Sequence, residues 1–461
     1  MSVLETDYLI VGAGASGMAF ADVVISESDA DVVLVDRRCR PGGHWNDAYP
    51  FVRLHQPSAY YGVASRTLGD DAVDEVGPNA GFYERATAAQ ICDYYQRVLD
   101  EHLLASGRVR FYGMHDYVAA RSEGHRLVSR LTGQTTTVRV RRKLVDASYL
   151  ETSVPSTHTP SFEVEPSVRF VTPNELVGLA CPGSGYTIVG AGKTAMDTCV
   201  WLLDNGVPPE DIRWIRPRDP WTLDRRYWQP LSQLPWLIEG LSLQYQAAAE
   251  AEDVPDLFRR LENSGQLVRL DPDVEPEVFR GATTSADERY KLGQIDDVHR
   301  GRVARIAPDR ISTRDGTIPT DPDRVHVDCT ARGLNQAPTR PVFEPDRITM
   351  QWVQWGVLPF SAALIGFVEA SGRSDADKNR LCPPSPPLNE VGDWVRACLV
   401  TMRAQAEWRN EPDVNAWSRR CRLNLTRGMG QHREDPRMQS ALDRLLRHAG
   451  PAAANLERLA T

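Results

Sequence analysis

Short apolar runs without alternation recur along the chain, each followed at once by small residues. Asp7-Tyr-Leu-Ile-Val11 is the first. A strand covered on both faces has no polar side to alternate with, so this run predicts an interior strand of a parallel sheet. Residues 18–26, rich in alanine and valine, fit a helix, and Asp31-Val-Val-Leu-Val-Asp36 predicts the next buried strand. The order then returns. Tyr186-Thr-Ile-Val189 predicts a strand, a helix runs to about Asp204 where Asn205-Gly206 stops it, and Ile212-Arg-Trp-Ile-Arg216 predicts a second strand. Two hairpin patterns precede two further apolar strands. Residues 127–131 and 135–140 lead into Lys143-Leu-Val-Asp-Ala-Ser148; residues 302–306 and 310–313, with a turn at Asp315-Gly316, lead to Val325-His-Val-Asp-Cys-Thr330. "LVDAS" and "HVDCT" read as matching positions of two similar halves.

The last third is patterned differently. In residues 389–407, Val391, Trp394, Val395, Cys398 and Met402 share one face at helical spacing, and residues 433–458 read as further helix. These helices form either a substrate lid, a dimer face or simple packing. Cys382-Pro-Pro-Ser-Pro-Pro-Leu388 predicts an extended connector. Residues 221–281 read as a helical insertion, and Trp221, Tyr227, Trp228 and Trp236 either line a pocket or fill a core.

Composition narrows the class. The chain has 461 residues, enough for two or three domains, and a net charge of -9 that disfavours non-specific binding to nucleic acid. No apolar run approaches the roughly 18 residues of a membrane span, and the first residues carry no basic-then-apolar leader. The eight cysteines include no C-x-x-C pair, which points to reduced thiols, a cytoplasmic location and no metal site.

The glycines carry the chemistry. Gly12-Ala-Gly14-Ala-Ser16-Gly17 sits between a strand and a helix. Gly12 permits the tight turn, Gly14 lets a diphosphate approach the backbone, and Gly17 lets helix and strand pack closely. The helix start offers free amides to the phosphates, here those around Ser16. Asp36 ends the second strand where a carboxylate can accept from ribose hydroxyls, with Arg37 beside it. In the second half the letters GAGKT suggest a triphosphate loop, but Thr187 stands where that loop needs its first glycine. Gly190, Gly192 and Ala195 instead form a dinucleotide turn, with Thr194 on it and Lys193 either near the diphosphate or solvated. Its second strand ends in Arg216-Pro-Arg218 rather than an acid. Arginine there suits the 2′-phosphate of NADPH, or else is surface charge.

With these motifs the chain resembles the two-dinucleotide-binding-domain flavoproteins, and within them the NADPH-dependent, class B type flavin monooxygenases. Pro41-Gly42-Gly43-His44-Trp45 matches that family's Gly-Gly-x-Trp segment over the flavin. Tyr49-Pro-Phe-Val-Arg-Leu-His-Gln-Pro-Ser58 resembles its stretch beside the isoalloxazine, and Phe82-Tyr-Glu-Arg-Ala-Thr87 with residues 88–102 resembles the segment closing the flavin domain. The family's F-x-G-x-x-x-H signature is absent; Tyr149 to Pro160 stands there, without a role readable from sequence. Of the usual Ala-Thr-Gly strand ends only Thr330-Ala331-Arg332-Gly333 approximates one, making Gly333 a cofactor candidate.

The resemblance implies an α/β fold of two Rossmann-like dinucleotide-binding domains plus a C-terminal helical region. The FAD domain would occupy residues 1–178 and 322–400, the inserted NADPH domain 179–321, and the helical segment 401–461. It implies FAD and NADPH as cofactors, O₂ and a small metabolite as substrates, and a homodimer as a common state. NADPH would reduce FAD, and O₂ would give a C4a-hydroperoxide that oxygenates N, S or C. Trp45, Arg53, His55 and Gln56 are the candidates beside the ring, Arg53 and His55 either stabilising an anion there or paired with nearby backbone and carboxylates. By the same resemblance, residues 359–369 would be the helix facing the flavin pyrimidine. Two other readings stand: an NADPH-dependent flavin reductase passing electrons to a quinone or a partner protein, and a non-catalytic FAD-binding redox sensor.

Overall fold

The computed structural model describes residues 3–119 and 124–460; residues 1 and 2, where the leader reading begins, lie outside it. The first sheet grows around the strand Leu4–Val11. Its partners Val32–Val35 and Thr135–Asp146 run parallel on either side, with Leu9 facing both Val33 and Leu144 in register. Val109–Tyr112 continues the layer beyond Val32–Val35. Every residue of Val32–Val35 is buried, so continuous hydrophobicity marked a two-faced strand correctly.

The hairpin and the strand it leads into are one element. Thr135–Asp146 pairs antiparallel with His125–Ser129 through its first half, and its last residues pair with Arg347–Thr349. In the second half of the molecule the two parts are separate. There Val303–Ile306, Arg310–Thr313, Thr317–Pro319 and Glu163–Val164 make a sheet of their own.

The second parallel sheet has the order Val298–Arg300, Ile212–Arg216, Tyr186–Val189, Val325–Asp328, Phe170–Val171. It repeats the first sheet's arrangement around its central strand. The outermost strand Phe170–Val171 enters it from the preceding chain, while Arg347–Thr349 returns to the first sheet only after the second is complete. The second Rossmann-type unit is therefore inserted between parts of the first, and a helical region follows.

Helix Leu358–Ala370 packs along helix Ala15–Glu27, with Gly366 against the backbone of Phe20. Residues 221–281 are not purely helical. Pro220–Asp224, Leu267–Val268 and Val278–Thr284 form a three-stranded sheet flanked by helices Leu234–Glu250 and Val254–Asn263. Trp221, Tyr227 and Trp228 are buried and Trp236 is partly buried, so the aromatics fill a core. Trp228, Phe258, Phe279, Trp355 and Trp394 meet edge-on with ring centroids 5.3–6.4 Å apart, the geometry that aromatic quadrupoles favour. The C-terminal helix Pro436–Leu459 packs on Leu234–Glu250. Among the described residues no helix is long and apolar enough to cross a membrane, and no cluster of metal-binding side chains occurs.

Candidate functional site: two glycine turns and the cleft between them

The two turns are built alike. Gly12 N–H donates to Val35 O, and Gly190 N–H to Ile215 O. Ala147 N–H donates to Val11 O, and Cys329 N–H to Val189 O. Asp146 accepts from the amide and hydroxyl of Ser148, as Asp328 does from those of Thr330. "LVDAS" and "HVDCT" are thus equivalent down to single hydrogen bonds. Close approach explains the glycines. A methyl group on Gly17 would lie 1.9 Å from Gly12 O, and one on Gly190, at φ +131°, would lie 2.5 Å from Cys329 O. Ala195 is fully buried, the packing position expected of it.

Each turn is open where a diphosphate would lie. Helices Ala15–Glu27 and Lys193–Asp204 start at Gly14 and Gly192 with no side-chain cap. Helices Ala88–Val98, Val254–Asn263 and Ala286–Leu292 are instead capped by Thr87, Asp253 and Ser285. Uncapped first-turn amides are unsatisfied donors with the positive end of the helix dipole behind them. Gly14 faces only the backbone of Gly43, and a side chain on Gly192 would meet nothing within 4 Å. Ser16 is buried in the first turn and Thr194 half-buried in the second. Asp36 is buried, one oxygen accepting from Ala13 N–H at 2.7 Å and the other from Arg38 N–H at 2.8 Å. A carboxylate has lone pairs to spare for a further donor. Arg37 pairs with Glu151.

Segment 42–58 leaves the first turn and reaches the second unit. Trp45 Nε1 donates to Tyr61 Oη at 2.7 Å and its ring lies beside His44. Tyr49 Oη donates to Asp197 at 2.9 Å, and Phe51 stacks on Trp201 with centroids 4.8 Å apart. Both partners stand on the helix that begins at Lys193. Residues 149–160, silent in the sequence, complete the bridge. Thr152–Ser153 pairs with Gly333–Leu334, Ser156 Oγ donates to Asp47 O, and His158 hydrogen-bonds Thr330.

Lys193 is not solvated. It is buried and ion-paired with Asp197 and with Glu288 at 3.6 Å. Glu288, from a helix start far along the chain, also pairs with Arg225 at 2.6 Å and Arg85 at 3.4 Å. Burial alone would raise its carboxyl, but Lys193, Arg225 and Arg85 together win and hold it well below the usual range. None of these partners was found from sequence. The i,i+4 spacing of Lys193 and Asp197 was a readable signal; the rest carry none.

Arg85 Nη1 donates to Leu54 O and Thr283 Oγ1 to His55 O, so this charge cluster holds the backbone of 54–55. Arg53 is exposed and donates to Arg85 O at 3.0 Å, and Gln56 is half-buried. His55 keeps an exposed surface but has protein packed around its remaining sides. Burial and then Lys193 push its imidazole down to about 4, Asp197 opposing and Arg85 and Arg225 adding to the effect. His44 is likewise pushed to about 4, by burial and then Arg38. Both are neutral at pH 7.

The arginines after the second unit's strand differ in kind. Arg216 is buried, 4.7 Å above the Trp214 ring, and sits between Asp219 at 3.5 Å and Asp271 at 3.6 Å. Arg300 pairs with the same two aspartates. This balanced cage borders a cavity of about 430 Å³ that Trp214, Leu270, Leu292 and Val298 also line. Arg225 is committed to Glu288, and Arg226 lies over Tyr227 and Trp236. Arg218 is half-exposed and has no carboxylate partner among the described residues.

Comparison with known proteins agrees with this geometry. Residues 10–62 match the family model for NAD(P)-binding Rossmann-like domains. The uncharacterized protein Rv2000 of Mycobacterium tuberculosis strain H37Rv is 45% identical over 427 residues, covering 92% of this chain and 78% of the relative. A cyclohexanone-bound crystal structure of cyclohexanone monooxygenase superposes with a TM-score of 0.54 at 12% identity, covering 89% of this chain and 98% of that one. The NADP+-bound cyclohexanone monooxygenase of Rhodococcus sp. Phi1 gives 0.51 at 12% identity, covering 82% and 86%. The chain has the fold of the flavin monooxygenases.

Proposed function

As a chain that belongs to one family with Rv2000 of Mycobacterium tuberculosis and has the flavin-monooxygenase fold, we propose, it is an NADPH-dependent FAD monooxygenase that oxygenates a small metabolite at N, S or C. One observation carries the reading: segment 42–58 runs from the first glycine turn onto the helix that opens the second. That juxtaposition lets two dinucleotides, one per turn, direct their rings into one cleft. On this reading residues 1–178 and 322–400 hold FAD, residues 179–321 hold NADPH, and residues 401–461 are a helical extension.

FAD, when bound, supplies hydride acceptance and oxygen activation. The chain's own residues bind and orient. The uncapped amides after Gly14 would hold one diphosphate, with Ser16, Gly17 and Gly43 shaping the turn and Asp36 taking ribose. Gly192 and Thr194 would serve the other, with Gly190 and Ala195 packed beneath and Gly333 at the far strand end. Trp45 and His44 would cover the ring. Arg53, His55 and Gln56 would line the oxygen-transfer cavity, where a neutral His55 can accept or donate one hydrogen bond without adding charge. Lys193 acts here through Asp197 and Glu288, as a strut.

The test is ¹⁸O₂ turnover with NADPH against a panel of amines, sulfides and ketones. Label in a product supports the proposal. NADPH oxidation that passes electrons to a quinone equally fast without O₂, with no labelled product, establishes the reductase instead.

A further inference from the structure

Arg422 follows helix Pro412–Arg420 in the C-terminal region and is buried. Its guanidinium meets three main-chain carbonyls from far back in the sequence. Nη1 donates to Tyr61 O at 2.9 Å and to Val63 O at 2.8 Å, and Nη2 donates to Ala59 O at 3.0 Å. All three acceptors are neutral, and among the described residues no carboxylate lies within ion-pair distance of Arg422. A buried cation without an acid is unfavourable unless its donors are satisfied. The planar fork of arginine is the side chain that can hold several acceptors at once. Tyr60 Oη donates to Leu425 O at 3.3 Å, a second tie between the same two stretches.

The loop so gathered has little freedom left. Tyr94 Oη accepts from Val63 N–H at 2.8 Å and donates to Arg66 O at 2.9 Å. Gly62 turns there at φ +100°, and a methyl group on it would lie 2.4 Å from Tyr94 Oη. Tyr61 is the loop's contact with segment 42–58. Its hydroxyl accepts from Trp45 Nε1 at 2.7 Å, and the two rings meet edge-on with centroids 6.0 Å apart. An indole has a single donor; this bond uses it and so fixes how the ring is turned.

We propose that Arg422 is a positioning residue for the flavin face: it gathers residues 59–63, sets Tyr61, and through Tyr61 orients Trp45 over the isoalloxazine. This rests on the FAD reading above, in which Trp45 covers the ring. It gives the helical extension a part in building the flavin site.

The experiment titrates FAD into the purified full-length chain freed of flavin. It follows affinity and the emission of the bound flavin, which a closely packed indole quenches. Arg422→Lys, Tyr61→Phe and Trp45→Phe are measured singly, and the first two again in the Trp45→Phe background. Lysine keeps the charge but lacks the fork; Tyr61→Phe removes only the acceptor. Each of these two should weaken FAD binding about tenfold and raise the emission of bound flavin. In the Trp45→Phe background neither should add to the loss, as holds for residues that act through one another. Wild-type affinity and emission in either variant, or losses that add in full to that of Trp45→Phe, overturn the proposal and leave Arg422 as a support of the fold alone. Wild-type protein that takes up no FAD overturns the coenzyme reading itself. If Arg422→Lys does not fold, Tyr60→Phe, which cuts only the tie to Leu425, takes its place and is judged by the same two results.

Discussion

Glu288 shows what a single residue does here that sequence could not reveal. It is buried, caps its own helix through Ser285, and answers three cations from three distant segments. Glu288→Gln keeps the shape and removes the charge, leaving Lys193, Arg85 and Arg225 buried with too little compensation. Removing one partner of a buried pair costs about 3–5 kcal/mol, so urea denaturation should show a loss of that order at pH 7. The sign with pH follows from the depressed carboxyl. Its contribution is complete above the ordinary glutamate value of about 4.3 and is lost as pH falls towards the folded value. The gap between wild type and variant should therefore narrow in acid. The ion pairs of Lys193 were hidden for the same reason. Its place beside Gly192 implied phosphate or water, and only the fold brings Glu288 within reach.

At the level of elements the sequence was highly legible. Strand, glycine turn, helix and strand were readable because each step has a local cause: two-faced burial, tight turning, close packing. The turns also make two opposite predictions. Gly17→Ala forces a methyl group onto Gly12 O and should destabilise the protein by about 1–3 kcal/mol or more, as overpacking does, read as a lower urea midpoint. Gly192→Ala meets nothing within 4 Å, and its backbone is extended, open to any residue. Stability should stay within about 0.5 kcal/mol, while, on the proposed reading, NADPH affinity falls at least about tenfold because the methyl group would stand where the diphosphate approaches. Unaltered NADPH binding by Gly192→Ala would place the coenzyme elsewhere. Less was legible in residues 221–281. Their sheet has strands of mixed direction drawn from well-separated stretches, and no local period announces that pairing.

Across the whole molecule, the presence of two like units was foreshadowed by repetition, whereas the aromatic core was not. Trp228, Phe258, Phe279, Trp355 and Trp394 come from five separate segments, and nothing in their spacing marks them as neighbours. The bridge at residues 149–160 was opaque for a related reason: its role is to touch both turn ends, and contacts leave no periodic trace. What the assembled molecule provides is two uncapped helix starts joined by segment 42–58, which on the proposed reading bring two coenzymes together. The most direct measurement of that claim is the visible absorption spectrum of the purified protein after incubation with FAD and gel filtration, before and after anaerobic addition of NADPH. The account predicts about one retained flavin per chain, bleached by NADPH. A protein that emerges colourless, or whose bound flavin NADPH leaves oxidised, would contradict it.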